Sequence, residues 1–199
     1  MPAVAWPSEG NAFYTVPVGS RVDQAKLTTL DGRPIELLGS DAASVFIFFR
    51  TEQENSTRVL TQVAELHAKM KDQPVHWVAI VSDTYPKKDV KKLLHQTGLK
   101  IPVAVDEGDA LYGKIGVVLH PVLGIADENH VLTTYLPFRK VGFSDYLAAH
   151  IDHTLGKIDD EALTAVLNPP KAVEGGDTAK AKRNLRMGEM LYKMKKYDK

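Results

Sequence analysis

The sequence predicts an α/β fold: a mostly parallel sheet covered by helices on both faces, with an antiparallel edge. Three observations carry this. Strand-length apolar runs alternate with helical patterns in the order ββ-β-α-β-α-β-α-β-β-α, which is the signature of parallel strands joined by crossover helices. The run from Ser44 to Phe49 is continuously apolar after its serine, as a strand buried on both faces must be. The last two strands flank a turn at Glu128-Asn129-His130, a connection short enough for a hairpin.

Residues 1–26 hold Pro2, Pro7, Gly10, Pro17 and Gly19 and read as an extended arm, whose Trp6, Phe13 and Tyr14 pack on the sheet or serve a partner. Lys26–Leu30 and Pro34–Leu38 are strand-like, with Asp31-Gly32 between them as hairpin chemistry. After the apolar strand, Val59, Leu60, Val63, Leu66 and Met70 fall at helical spacing over 55–71, with Asn55 or Ser56 expected as the N-cap. Gln73-Pro74 ends that helix and Val75–Val81 forms a second strand, in which Trp77 is a core residue. Lys87–Gln96 is a helix stopped by Gly98, with Lys87, Lys88, Lys91 and Lys92 on a solvated face. Ile101–Val105 is a short strand and Asp109–Gly116 a short helix. Pro121–Ile125 and Val131–Leu136 make the final hairpin. Phe143–Leu155 is an amphipathic helix with Phe143, Tyr146, Leu147, His150, Ile151 and Leu155 on one side. Composition then changes. Leu167-Asn-Pro-Pro170 and Glu174-Gly-Gly-Asp177 predict a linker over 157–178, before a basic helix over 179–199.

Composition narrows the chemistry. Lysine plus arginine and aspartate plus glutamate number 25 each, so no global charge points to nucleic acid. No apolar run is long enough to cross a bilayer. There is no cysteine, which excludes disulfides, thiolate metal sites and thiol catalysis within these 199 residues. The N-terminus lacks the pattern of a secretion signal. Two locations stay open: the cytoplasm, or the periplasm or another extracytoplasmic space if a signal has been trimmed.

From Leu27 to Leu155 the chain resembles the thioredoxin superfamily, in the branch of peroxiredoxins and membrane-tethered thiol–disulfide oxidoreductases. The resemblance is carried by Leu27-Thr-Thr-Leu-Asp-Gly-Arg-Pro-Ile-Glu-Leu37, Val45-Phe-Ile-Phe-Phe49 and Ile101-Pro-Val-Ala-Val-Asp106. Leu111-Tyr-Gly113, Ile115-Gly116, His120-Pro121 and Gly124 to His130 complete it. It covers 27–156 as a single domain and implies a cis peptide bond before Pro121. It also places the two family cysteines near Gln53 and Ser56, where a helix N-terminus would stabilise a thiolate. Here those positions hold an amide and a hydroxyl. The peroxiredoxin proline, threonine and cysteine are missing from the turn as well. Thiol–disulfide and peroxidase activity by the family mechanism is therefore excluded.

The tail, Asn184 to Lys199, resembles the first half of a tetratricopeptide repeat, with Gly188, Leu191, Tyr192, Tyr197 and Asp198 in the repeat's small, apolar and turn positions. Such arrays need several stacked units. The expectation is thus a redox-inactive thioredoxin-like module at the start of a longer repeat protein, binding a protein or peptide partner and needing no cofactor. Its candidate groove is formed by Gln53, Ser56, His120 and Pro121. Two alternatives remain. The groove is a vestigial turn, or it hosts non-thiol chemistry, with Ser56 as a nucleophile or Glu52, Glu54 and His120 as metal ligands. His150 and His153, three apart on a helix, are a further candidate ligand pair.

Overall fold

The structure is a computed structural model, and it describes residues 12–168 and Leu185. The chain divides into two compact units, Met1–Val166 and Leu167–Lys199. The first contains the sheet. Trp6 and, but for Leu185, the helix expected over 179–199 lie outside the described residues.

Its elements follow the predicted order. Strand β1 (Lys26–Thr29) and β2 (Pro34–Glu36) form the opening hairpin, with Gly32 at φ 83° supplying the left-handed residue of its turn. Strand β3 (Ala43–Phe48) leads to helix α1 (Glu54–Lys69), and β4 (Val75–Ser82) to α2 (Lys87–Thr97). Strand β5 (Val103–Asp106) passes through a 3-10 turn (Glu107–Asp109) into α3 (Ala110–Ile115). Strands β6 (Val122–Ala126) and β7 (Leu132–Pro137) make the final hairpin, followed by α4 (Phe143–Thr154) and α5 (Asp160–Leu167).

One seven-stranded sheet runs in the order β2-β1-β5-β4-β3-β6-β7. β3, β4 and β5 are mutually parallel; β1, β6 and the β6–β7 pair add antiparallel neighbours on either side. The resemblance to the thioredoxin-like class is borne out by this mixed sheet with its flanking helices.

Successive residues of β3 serve opposite faces, as the two-residue period of a strand requires. Val45, Ile47 and Phe49 join the core formed with Val59, Leu60 and Val63 of α1 and with Val90, Leu93, Leu147 and Ile151. Phe46 and Phe48 join the other core, with Val78, Ile80, Leu111, Ile115 and Phe13. Phe13 thus settles one question about the arm: it is buried and stacks on Phe46 at 5.8 Å between centroids, while its neighbour Tyr14 is exposed. Gly124 lies opposite Phe46 in the β3–β6 ladder, and a Cβ there would stand 2.2 Å from the Phe46 ring. The glycine makes room for that ring. Trp77 is buried, and the lysines of α2 are exposed, as expected.

Three local expectations need correction. Helix α1 starts at Glu54, with Gln53 as its N-cap instead of Asn55 or Ser56. The Ser56 hydroxyl is engaged elsewhere, and Glu54 in the first turn complements the helix dipole. Strand β5 omits Ile101 and Pro102, since proline lacks the N–H a ladder needs. Finally, α5 lies inside the stretch read as a linker, and its Leu163 is buried. The breakers that suggested a linker begin only at its last residues.

Candidate functional site

Register fixes which loops share one end of the sheet. Phe48 pairs with Ile80 and Val122, Val122 with Pro137, and Ser82 with Asp106. The loops beyond these pairs therefore leave the same end: Arg50 to Gln53, Asp83 to Pro86, Glu107 to Asp109, Val118 to Pro121 and Phe138 to Gly142. Gln53 and His120-Pro121, chosen from the sequence, both belong to this set.

The His120-Pro121 bond is cis, as the resemblance implied. Pro121 is buried. The His120 ring stacks on Tyr112, with centroids 5.2 Å apart and planes 16° from parallel. Its Nε2 is buried without a hydrogen-bond partner. Burial, reinforced by the nearby Arg50 cation and partly offset by Glu52 and Asp109, lowers the His120 pKa to about 4, so the ring is neutral near pH 7. Gln53 Oε1, across the turn, is the other buried side-chain polar atom without a partner among the described residues.

Ser56 is fully buried. Its Oγ accepts the Arg50 N–H at 3.2 Å, and its own N–H donates to Gln53 O at 3.0 Å. The hydroxyl thus closes the turn between β3 and α1. Among the described residues no base is hydrogen-bonded to it, so a nucleophilic role has no geometric support.

The proposed metal set does not come together. Glu54 pairs with Arg58 at 2.5 Å along α1, and Glu52 accepts the Tyr85 hydroxyl at 3.0 Å. Among the described residues no three of histidine, aspartate and glutamate are grouped to hold a metal ion. Of the two helix histidines, His153 Nε2 lies 2.8 Å from Asp160 Oδ1, while burial and then the His153 charge lower the His150 pKa to about 4.

Tyr112 and Asp106 organise the site, a role the sequence reading did not assign them. The Tyr112 hydroxyl donates to Phe49 O at 3.1 Å and Ile80 O at 3.3 Å, tying together the ends of β3 and β4 beneath the turn. Burial, followed by the Asp106 charge, raises the Tyr112 pKa, which keeps that hydroxyl a donor. The buried Asp106 accepts the N–H groups of Leu111 at 2.9 Å and Tyr112 at 2.8 Å, and so fixes the start of α3. The one visible signal was an aspartate ending a strand immediately before a short helix, the pattern of a helix-capping carboxylate.

Three apolar side chains rim this sheet end: Val118 is 58% exposed, Leu119 43% and Val141 83%. A separate cleft of about 270 Å³ lies between Lys26–Thr28 of β1 and the segment Val105 to Lys114. It contains none of the residues chosen from the sequence.

Together the sheet order and the helix that follows the central strand define a thioredoxin-like fold. A DsbE of Chlorobium tepidum, assigned as a thiol:disulfide interchange protein, superposes with a TM-score of 0.64 over 71% of this chain and 99% of its own, at 20% identity. A secreted Mycobacterium tuberculosis disulfide oxidoreductase gives 0.57 over 65% and 95%, at 14% identity. At these identities the likeness is one of fold. In sequence, the chain is similar to the thiol-disulfide oxidoreductase ResA of Bacillus thuringiensis and of Bacillus anthracis, each 30% identical over 113 residues. That match covers 56% of this chain, and the chain spans 65% of the length of those relatives. No family model matches the chain. Unlike proteins whose names denote thiol chemistry, this chain has no cysteine with which to perform it.

Proposed function

We propose that this domain is a redox-inactive thioredoxin-like module that binds an extended protein segment across the Gln53–Ser56 turn and the His120-Pro121 loop. One observation carries the reading: among the described residues Gln53 Oε1, at the start of α1, and His120 Nε2, in the loop before β6, are buried without partners. Each such atom costs about 1–3 kcal/mol, and a bound peptide amide recovers that cost once the two side chains turn toward it. The exposed Val118, Leu119 and Val141 offer apolar contact beside them. The scaffold role extends to the tetratricopeptide half-repeat read over 179–199, which rests on the sequence pattern alone.

Selecting extended peptides from a displayed library, then measuring affinity by calorimetry, tests the groove. The Gln53→Ala/His120→Ala double variant is expected to bind a selected peptide about tenfold more weakly or worse, since two hydrogen bonds are removed. Unchanged affinity would move the interface away from this sheet end. A second arm tests whether thiols alone are missing. Gln53→Cys/Ser56→Cys places a cysteine pair at the N-terminus of α1, where amide groups stabilise a thiolate. Air oxidation should close an internal disulfide, visible by mass and by loss of free thiol. A pair that stays reduced shows that the turn no longer has the form of a redox site.

A further inference from the structure

Helix α2 carries a charge pattern that its own fold opposes. Lys87, Lys88, Lys91 and Lys92 are all exposed on one face, while Val90, Leu93 and Thr97 bury the other. Lys87 and Lys88 occupy the first turn, where the positive end of the helix dipole disfavours cations, and the N-cap, Pro86, makes no side-chain cap. Lys87 with Lys91, and Lys88 with Lys92, are like-charge pairs four residues apart, also unfavourable. Among the described residues none of the four joins an ion pair. On the neighbouring α1, Glu54 is already paired with Arg58. The only acid on α2 is Asp89. His95 in the last turn of α2 and Lys100 beyond it are exposed as well. In a chain of zero net charge this concentration is local, and its field attracts an external anion.

We propose that this lysine face docks the domain on an anionic lipid surface. The lysine stripe spans about 9 Å of helix and holds ammonium groups without an arginine fork or a phenylalanine, tyrosine or tryptophan ring, so it lacks the bidentate and stacking groups that read nucleic acid. Its apolar residues are turned into the core, so it offers no anchor of the kind that dominates protein interfaces. Flexible point charges spread along a helix suit a diffuse field of headgroups.

Co-sedimentation with vesicles of phosphatidylglycerol and phosphatidylcholine in equal parts, at low salt, tests the assignment, with phosphatidylcholine vesicles as control. The chain should bind the anionic vesicles alone, and added salt should release it. Each lysine is worth about fivefold in partitioning, so replacing all four by glutamine should lower binding by up to about six-hundred-fold, while replacing all four by arginine retains it. Lys87→Glu/Lys88→Glu should abolish binding yet raise the melting temperature by about 2–4 °C, because the first turn then agrees with the dipole. This separates loss of docking from loss of fold. Failure of the unaltered chain to sediment, equal binding to both vesicle types, or full binding by the glutamine variant would each overturn the proposal. Retention on DNA without vesicle binding would overturn it in favour of a nucleic-acid partner.

Discussion

Phe46→Ala should lower the free energy of unfolding by about 3–5 kcal/mol, measured by equilibrium denaturation. Phe46 is fully buried, stacks on Phe13 with ring planes 17° apart, and meets Phe48 edge-on at 6.1 Å. Removing the ring leaves a void beside the centre of the sheet, lined by residues held on three strands and the arm. Gly124 is the other half of the arrangement. Gly124→Ala puts a methyl group 2.2 Å from a Phe46 ring atom and 2.8 Å from Phe13, an overpacking expected to cost about 1–3 kcal/mol. The double variant gives the sharper result. Its methyl group occupies space vacated by the ring, so the combined loss should fall short of the sum by about 0.5 kcal/mol or more. Strict additivity would mean that ring and glycine do not share that space.

Asp106→Ala is the second large effect, at about 2–5 kcal/mol, because the N–H groups of Leu111 and Tyr112 both lose their acceptor. The consequence reaches the candidate groove through α3. Tyr112 loses its fixed place, the His120 ring loses its cover, and the His120 pKa should climb from about 4 toward its ordinary 6.5, as followed by NMR. An unmoved His120 titration would show that α3 does not hold the ring.

Asp106 also predicts a pH dependence of definite sign. Burial raises its pKa above 3.8, outweighing the two N–H bonds that lower it. Over the interval just above 3.8 the folded chain therefore binds more protons at this site than the unfolded chain does. Its contribution is most favourable below 3.8 and is lost as pH rises through the folded-state pKa. His120 and His150 run the other way: their lowered pKa values favour the neutral ring in the fold, so stability falls as pH drops from 6.5 through about 4. Subtracting the stability profile of Asp106→Asn isolates the aspartate. A difference curve that rises with pH across this interval would contradict the assignment.

The strands and helices were legible because their signals are local. The uninterrupted apolar run into Phe49 marked a strand buried on both faces, and Gly98, at φ 68°, stopped α2 where the left-handed residue was needed. The cis proline and the turn opposite it came from resemblance, since a dipeptide alone does not reveal its isomer. What could not be read depends on contacts distant in sequence. The Tyr85–Glu52 bond and the Tyr112 hydroxyl on Phe49 O join residues 33 and 63 positions apart. The first of these disarms a carboxylate that looked free to bind metal. Ser56 departs from its expected capping role for a related reason: its hydroxyl reaches back six residues to accept the Arg50 N–H.

The place of β3 in the middle of the sheet bears on how the chain is made. Its parallel neighbour β4 follows within about 30 residues, but β6 arrives only about 80 residues after it. At a translation speed of about 5–20 residues per second, the Val45-Phe-Ile-Phe-Phe49 segment waits seconds on the ribosome with one side unpaired. Such a segment, β-branched and aromatic without charge or proline, is prone to pair with copies of itself. A stalled chain ending before Val122 should associate with holding chaperones far more than one that has released Ala126 and Leu132.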